Sequence, residues 1–231
     1  MSKNERIDKA SEIFKKISEP KSYHYNQKFR YLPNWLDNTS YFYQKEATKH
    51  LPQNYYYFKR GTVIRVNFGT NLGSEFSNIH FAIVLDKKDN SKKKTLTVLP
   101  LTSKQKKGRF SLGKEVFNQT TYLINQEGLR ETKRIHDLNE QLKEYSKNTP
   151  EYKDAVLAID TLKQNMQELL DVAKVYSNFN KNSFVRLSDI TTISKFRIKR
   201  INRFDPSGQI RLSSTQMADI SDKLMELYIS K

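Results

Sequence analysis

The chain has 231 residues and a formal net charge of +16, which favours an anionic partner such as nucleic acid or an acidic protein. Its apolar content of 36% predicts a compact core with more solvated helical parts, and the absence of cysteine excludes disulfides, thiol nucleophiles and thiolate metal sites. No apolar run approaches the roughly 18 residues of a membrane-spanning helix, and the N-terminus lacks an apolar signal segment. We therefore expect a soluble, cytoplasmic protein with no membrane partner.

Residues 1–58 predict a helical, tyrosine-rich extension. Apolar residues recur at helical spacing from Ile7 to Ile17, and this first helix should end before Pro20. A second helix is expected over residues 34–49. The tyrosines alternate with lysine and arginine, a pattern that could stack single-stranded bases, although aromatic packing of the extension onto the rest of the protein is the commoner use.

Short apolar runs separated by turn-rich, charged connections follow the extension and are typical of consecutive strands in a small barrel. The runs cover residues 63–68, 81–85 and 96–101. Two more short strands are expected at residues 112–116 and 121–124.

Residues 126–178 predict a helical hairpin, because their apolar positions fall three and four residues apart. Thr149 can cap the second helix and Pro150 suits its first turn. The chain then returns to strands at residues 183–187 and 189–193, and a final amphipathic helix is expected over residues 214–229 with Ser213 or Ser214 as its cap.

Positive charge is concentrated in two segments of the chain. Residues 87–109 contain nine basic residues and one acid, Asp89, and residues 181–203 contain seven basic residues and one acid, Asp189. Solvated loops are the ordinary interpretation of either segment alone. Because both flank strands of the same predicted barrel, we expect one shared basic face.

Polar residues stand at the ends of the predicted strands. They are Ser74, Glu75, His80, Thr102 and Ser103. This set suits chemistry on a phosphate better than it suits a core, and such chemistry needs a base, an acid and a cationic cradle for the phosphoryl oxygens. Imidazole can accept or donate a proton near neutrality, so His80 is the best candidate for proton transfer.

These motifs resemble the MazF/PemK family of toxin ribonucleases, and they do so in the family's order. The matching segments are Arg60-Gly61, Phe68-Gly69, Gly73-Ser74-Glu75, His80-Phe81 and Pro100-Leu101-Thr102-Ser103, followed by Ile193-Ser194-Lys195-Phe196-Arg197 and the last helix. The resemblance covers residues 59–124 and 183–230. His80 stands where the family carries its catalytic arginine. Thr191 stands where the family also tends to have an arginine.

The resemblance implies an α+β fold, an SH3-like small β-barrel of the CcdB/MazF/PemK type with N-terminal helices, an inserted α-hairpin and a C-terminal helix. Residues 59–231 would form this domain, interrupted by the hairpin at residues 126–178. The implied function is that of a type II toxin: a homodimeric, metal-independent and cofactor-free endoribonuclease that cleaves single-stranded RNA and is neutralised by an acidic antitoxin. A non-catalytic toxin that binds DNA gyrase and a degenerate RNA-binding module are the alternatives.

The predicted site has two sets of residues. The catalytic set is His80, Thr102, Ser103 and Glu75, and the RNA-binding set is Gly73, Ser74, Arg65, Lys104, Lys195 and Arg197. The histidines, His24, His50, His80 and His136, lack metal-ligand spacing, so no metal site is expected. With no family arginine at position 80, either another cation supplies the positive charge or catalysis is weaker, more pH-dependent or absent. The candidate cations are Arg65, Lys195 and Arg197.

Overall fold

The computed structural model describes residues 2–177 and 181–229 and has an α+β architecture. Its helices are α1 (Lys3–Ser18), α2 (Leu32–Ala47), α3 (Glu115–Glu144), α4 (Pro150–Ser177) and α5 (Ser214–Tyr228). Its strands are β1 (Val63–Asn67), β2 (Ile79–Val84), β3 (Thr95–Thr102), β4 (Phe110–Gly113), β5 (Ser183–Val185) and β6 (Thr191–Ser194). None of the described helices combines the length and apolarity that crossing a membrane would require.

The strands form one six-stranded antiparallel sheet in the order β1-β2-β3-β5-β4, with β6 also paired to β3. The α+β class, the N-terminal helices, the helical pair α3/α4 and the C-terminal helix are confirmed. Closure of the sheet into a small barrel stays a prediction, as does the division into residues 1–58 and 59–231.

The first of two compact units contains the residues up to Arg60, Arg65–Pro100 and Ser188–Lys199. Its buried core is built from alternate or continuous apolar positions of the central strands: Val66, Phe68, Ala82, Ile83, Val84, Leu96, Val98, Leu99 and Ile193. β2 and β6 both pair with β3, in registers that align Ile83 with Leu99 and Ile193 with Leu96.

The second unit contains Gly61–Ile64, Leu101–Leu187 and the residues from Arg200 onward. Within it α3 and α4 pack together, and the buried Glu131 accepts a hydrogen bond from the Asn165 side chain at 3.0 Å. Thr149 caps α4 as predicted, since its hydroxyl accepts from Tyr152 N–H at 3.3 Å. Ser213 caps α5 within a capping box completed by Gln216.

The strand predicted at residues 121–124 is wrong, because α3 begins at Glu115 and runs through this segment. The segment contains two β-branched residues and one aromatic residue, Thr121, Ile124 and Tyr122, which favours a strand locally. Val116 and Thr120 lie four positions apart and are both buried, so packing of a helical face overrides that preference. The predicted hairpin therefore starts earlier than residue 126.

Gly69 brings the backbone of the first unit against α2. Its φ is +89°, and a Cβ at this position would lie 2.7 Å from Cζ2 of Trp35. A side chain would therefore meet both an unfavourable backbone conformation and an aromatic ring that is itself packed.

Gly69→Ala is expected to lower the free energy of unfolding by about 2 kcal/mol or more, since left-handed strain of about 1–2 kcal/mol adds to the clash. Urea denaturation followed by tryptophan fluorescence measures this cost. Gly73→Ala is the matched control, because Gly73 also has a positive φ of +50° but nothing within 4 Å of the added methyl group. Equal costs for the two variants would contradict the packing explanation.

Candidate functional site

The loop of residues 69–78, called here the β1–β2 loop, is held in shape by its own polar groups. Phe68 N–H donates to the Asn78 carbonyl at 2.9 Å and closes the neck of the loop. The Asn71 side-chain amide donates to the carbonyls of Phe68 and Phe76 at 3.1 and 2.7 Å. The loop is therefore preorganised rather than an open connection.

Lys28, from the N-terminal extension, fixes the tip of the β1–β2 loop. Its ammonium group donates to the carbonyl of Gly73 at 2.7 Å. Gly73, Ser74 and Glu75 are exposed, and Glu75 N–H donates to the Leu72 carbonyl. The backbone N–H of Glu75 is thus already occupied within the loop.

Lys28→Met is expected to speed hydrogen exchange of the amides of the β1–β2 loop about threefold to tenfold, because loss of a hydrogen bond from a charged donor frees the loop that carries Ser74 and Glu75. Hydrogen exchange followed by mass spectrometry measures the effect. Lys21→Met is the control, since Lys21 is an exposed lysine of the same extension. An unchanged exchange rate in the Lys28 variant would show that this hydrogen bond does not hold the loop.

A cavity of about 420 Å³ lies beside the β1–β2 loop, and Ser74, Glu75 and Arg197 line it. The loop also contributes Asn71 and Phe76, and Phe68 lines the cavity just before the loop. The segment before and within β6 contributes Ser188, Asp189, Ile190, Thr191 and Ile193. All of these residues belong to the first unit. The structure thus brings Arg197, from the basic segment of residues 181–203, to the two neighbouring loop residues Ser74 and Glu75, and all three are predicted site residues.

Arg197 is the cation of this cavity. Its guanidinium donates to the Phe68 carbonyl at 2.9 Å, and its Cζ lies 5.0 Å from the centroid of the Trp35 ring. Arg197 forms no ion pair with any described carboxylate. A guanidinium held by one carbonyl and an aromatic face keeps donors for an anionic ligand.

His80 is the second residue of β2 and is half-buried. Its ring centroid lies 4.4 Å from that of Phe76, and Phe76 also packs edge-on against Phe68 at 5.0 Å. The imidazole is therefore positioned by the aromatic side chain of a loop residue that lines the cavity. This contact ties the orientation of His80 to the shape of the β1–β2 loop.

Lys195 is buried, which corrects its predicted role in RNA binding. Its ammonium lies 2.8 Å from the Asp89 carboxylate and also donates to the Asn90 carbonyl at 3.1 Å, and both charged side chains are at most 2% exposed. A cation enclosed with its counter-ion is a structural element and cannot reach a strand of RNA. Arg65 lies in β1 and is half-buried, with its carbonyl accepting from Lys199 N–H at 2.9 Å.

Thr102, Ser103 and Lys104 belong to the second unit, at the end of β3. Thr102 is half-buried and pairs with Phe184 of β5, and its hydroxyl accepts from Lys104 N–H at 3.2 Å. Ser103 and Lys104 are exposed. The hydroxyls thus terminate the strand as expected, and their catalytic role stays a prediction.

Two acidic residues line the cavity, and the sequence analysis selected only Glu75. The second is Asp189, whose carboxylate accepts from the Ser188 hydroxyl at 2.9 Å. The available signal was that Asp189 is the one acid in the basic segment of residues 181–203. Among the described residues, no group of three or more His, Cys, Asp or Glu side chains is arranged to hold a metal ion.

Comparison with protein families gives one match within the chain. Residues 59–144 match the family described as PemK-like, MazF-like toxin of type II toxin-antitoxin system. No curated protein matches the chain. The matched segment includes β1 to β4, the β1–β2 loop, His80 and the first part of the helical pair.

Proposed function

Residues 59–144 are a PemK/MazF-like toxin domain of a type II toxin-antitoxin system, and from this premise we propose that the chain cleaves single-stranded RNA as a metal-independent endoribonuclease. The observation that carries the proposal is the grouping of Ser74, Glu75 and Arg197 around one cavity. We propose further that the sheet completes the SH3-like small barrel of this family.

The proposed reaction uses the RNA's own 2′-hydroxyl as nucleophile. This hydroxyl loses its proton and attacks the adjacent phosphorus, and the 5′-oxygen of the next nucleotide leaves as it is protonated. The products are a 2′,3′-cyclic phosphate and a 5′-hydroxyl. DNA lacks the 2′-hydroxyl, so the reaction is specific for RNA.

Proton transfer is assigned to His80 and Glu75. Glu75 lines the cavity, and its carboxylate can accept the 2′-hydroxyl proton. His80, which is positioned by Phe76, can supply a proton to the leaving oxygen. Arg197 provides the permanent charge that the family arginine would otherwise give, by donating to the phosphoryl oxygens. Ser74 adds a hydroxyl donor from the loop.

The second unit contributes further proposed residues. The resemblance assigns the hydroxyls of Thr102 and Ser103 to catalysis and Lys104 to RNA binding. Lys104 begins an exposed segment, residues 104–108, that also contains Lys106 and Lys107. Cations on such a segment bind phosphates irrespective of base sequence and make affinity fall with rising salt.

A toxin of this class implies an antitoxin partner. We propose that the antitoxin is acidic and covers the basic RNA-binding residues, because charge complementarity to a chain of net charge +16 favours it. We propose further that the protein assembles as a homodimer and acts on messenger RNA in the cytoplasm.

The test is incubation of the purified chain with an RNA and a DNA oligonucleotide of the same sequence in the presence of EDTA. Cleavage of the RNA alone supports the proposal. If a folded protein leaves the RNA intact but arrests growth when expressed, the endoribonuclease assignment fails, and a binding target such as DNA gyrase becomes the explanation. Supercoiling by gyrase with and without the protein then checks that alternative directly.

A further inference from the structure

A second cavity in the first unit joins aromatic rings with cations. It has a volume of about 180 Å³ and is lined by α2 on one side and by the segment of residues 194–199 on the other. The lining includes four aromatic residues and two cations: Trp35, Phe42, Tyr43, Phe196, Arg197 and Lys199. α2 lies outside the matched segment of residues 59–144, so the toxin family does not account for this cavity.

The aromatic side of the cavity is ordered by ring packing and is partly open to solvent. The rings of Phe42 and Phe196 stack with centroids 4.8 Å apart and planes 25° apart, which fixes their positions. Tyr43 is 66% exposed at the rim, so its ring is accessible to a ligand. The Thr39 hydroxyl is buried without a hydrogen-bond partner, and Thr39 also lines the cavity.

The cavity is lined by two cations, Arg197 and Lys199, and by one carboxylate, Glu46. Lys199 donates to the neutral side-chain oxygen of Asn38 at 3.0 Å, and its ammonium lies 5.6 Å from the centroid of the Phe42 ring. Within the described residues neither Lys199 nor Arg197 forms an ion pair. Burial lowers the pKa of Lys199, so an anion placed beside it would relieve an unfavourable desolvation.

Arg197 connects this cavity to the candidate active site, because it lines both. A ligand that passes Arg197 can therefore contact the two cavities at once. Aromatic faces with neighbouring cations are the common means of binding unpaired nucleotides, since every base can stack and every phosphate is anionic. Glu46, at the edge of the cavity, offers a carboxylate that can accept from base amino groups.

We propose that this cavity binds one unpaired base of the RNA substrate, stacked on Tyr43, with Lys199 and Arg197 at its phosphate. The inference rests on the proposed function, since it takes RNA as the ligand. It gives the N-terminal extension a role in substrate selection: the base beside the cleaved phosphate is held by residues outside the toxin domain.

The chain has a single tryptophan, Trp35, so its fluorescence reports on this cavity. The probe is an RNA oligonucleotide with 2′-O-methyl groups, which cannot be cleaved through the 2′-hydroxyl. We expect saturable quenching of Trp35, with affinity about tenfold weaker in Tyr43→Ala through lost stacking. Lys199→Gln should weaken binding. It should also reduce the slope of log affinity against log salt concentration by about one, which corresponds to the loss of one phosphate contact.

Tyr41→Ala is the matched control, because Tyr41 is a half-exposed tyrosine of α2 that does not line the cavity. Its affinity should equal that of the wild type. The inference would be overturned if Tyr43→Ala and Lys199→Gln bound the RNA as tightly as the wild type. It would also be overturned if the free nucleotide 5′-CMP quenched Trp35 fluorescence and the RNA did not.

Cleavage assays separate the failure of this inference from failure of the proposed function. If RNA is cleaved and Tyr43→Ala leaves KM and sequence preference unchanged, the base-binding cavity is refuted while the ribonuclease stands. If Trp35 is quenched by RNA and the variants weaken binding, yet no RNA is cleaved, the cavity stands and the ribonuclease is refuted.

Discussion

Replacing His80 with alanine is expected to lower the rate of RNA cleavage at least about 100-fold, the usual contribution of a positioned general acid or base. His80 is half-buried against the Phe76 ring and is not part of the fully buried core, so the variant should fold. Single-turnover cleavage of a short RNA at saturating enzyme measures the chemical step.

Two further variants decide what His80 does. His50→Ala is the control, because His50 is an exposed histidine of the same unit, and it should cleave at the wild-type rate. His80→Arg restores the residue that the family carries at this position, and its rate should stay near that of His80→Ala, since a guanidinium keeps its proton and cannot supply it to the leaving oxygen. A His80→Ala variant with full activity would refute this site assignment, although RNA cleavage itself would remain established.

Replacing Asp89 with alanine is expected to lower the free energy of unfolding by about 3–5 kcal/mol, because it leaves a buried ammonium without its counter-ion. The Asp89 carboxylate is fully buried, and besides the ion pair with Lys195 it accepts from Phe58 N–H at 2.9 Å. The substitution therefore also leaves a backbone donor without its acceptor. Urea denaturation monitored by circular dichroism measures the loss.

An exposed ion pair is the control for the buried pair of Asp89 and Lys195. Glu140→Gln breaks the pair between Glu140 and Lys143, whose side chains are 52% and 69% exposed, and should leave the unfolding curve unchanged. The double variant Asp89→Leu, Lys195→Met removes both buried charges and should be more stable than Asp89→Ala. If Asp89→Ala unfolds at the same urea concentration as Glu140→Gln, the buried pair does not stabilise the first unit.

The elements that the sequence predicted well are those with a clear period or cap. The apolar runs correspond to β1, β2 and β3, and α4 begins at Pro150, where Thr149 caps it as predicted. The segment at residues 121–124 failed because its β-branched and aromatic residues favour a strand in isolation, whereas its neighbours Val116 and Thr120 pack as a helical face.

The site was predictable in part, and the limit lies in long-range contacts. Ser74 and Glu75 could be selected from their loop, and Arg197 from its basic segment, but its hydrogen bond to Phe68 joins positions 129 residues apart. No local pattern distinguishes Lys195, which is buried with Asp89, from Arg197, which lines the cavity. Burial and partner, set by the fold, decide which cation is available to RNA.

The most direct measurement of the central claim is the mass of the fragment ends after cleavage of a defined RNA in EDTA. Attack by the 2′-hydroxyl predicts a 2′,3′-cyclic phosphate on the upstream fragment and a 5′-hydroxyl on the downstream fragment. Placing one 2′-deoxynucleotide at the cleaved position should abolish cutting there. Fragments with a 5′-phosphate and a 3′-hydroxyl, or continued cutting at the deoxynucleotide, would contradict the account.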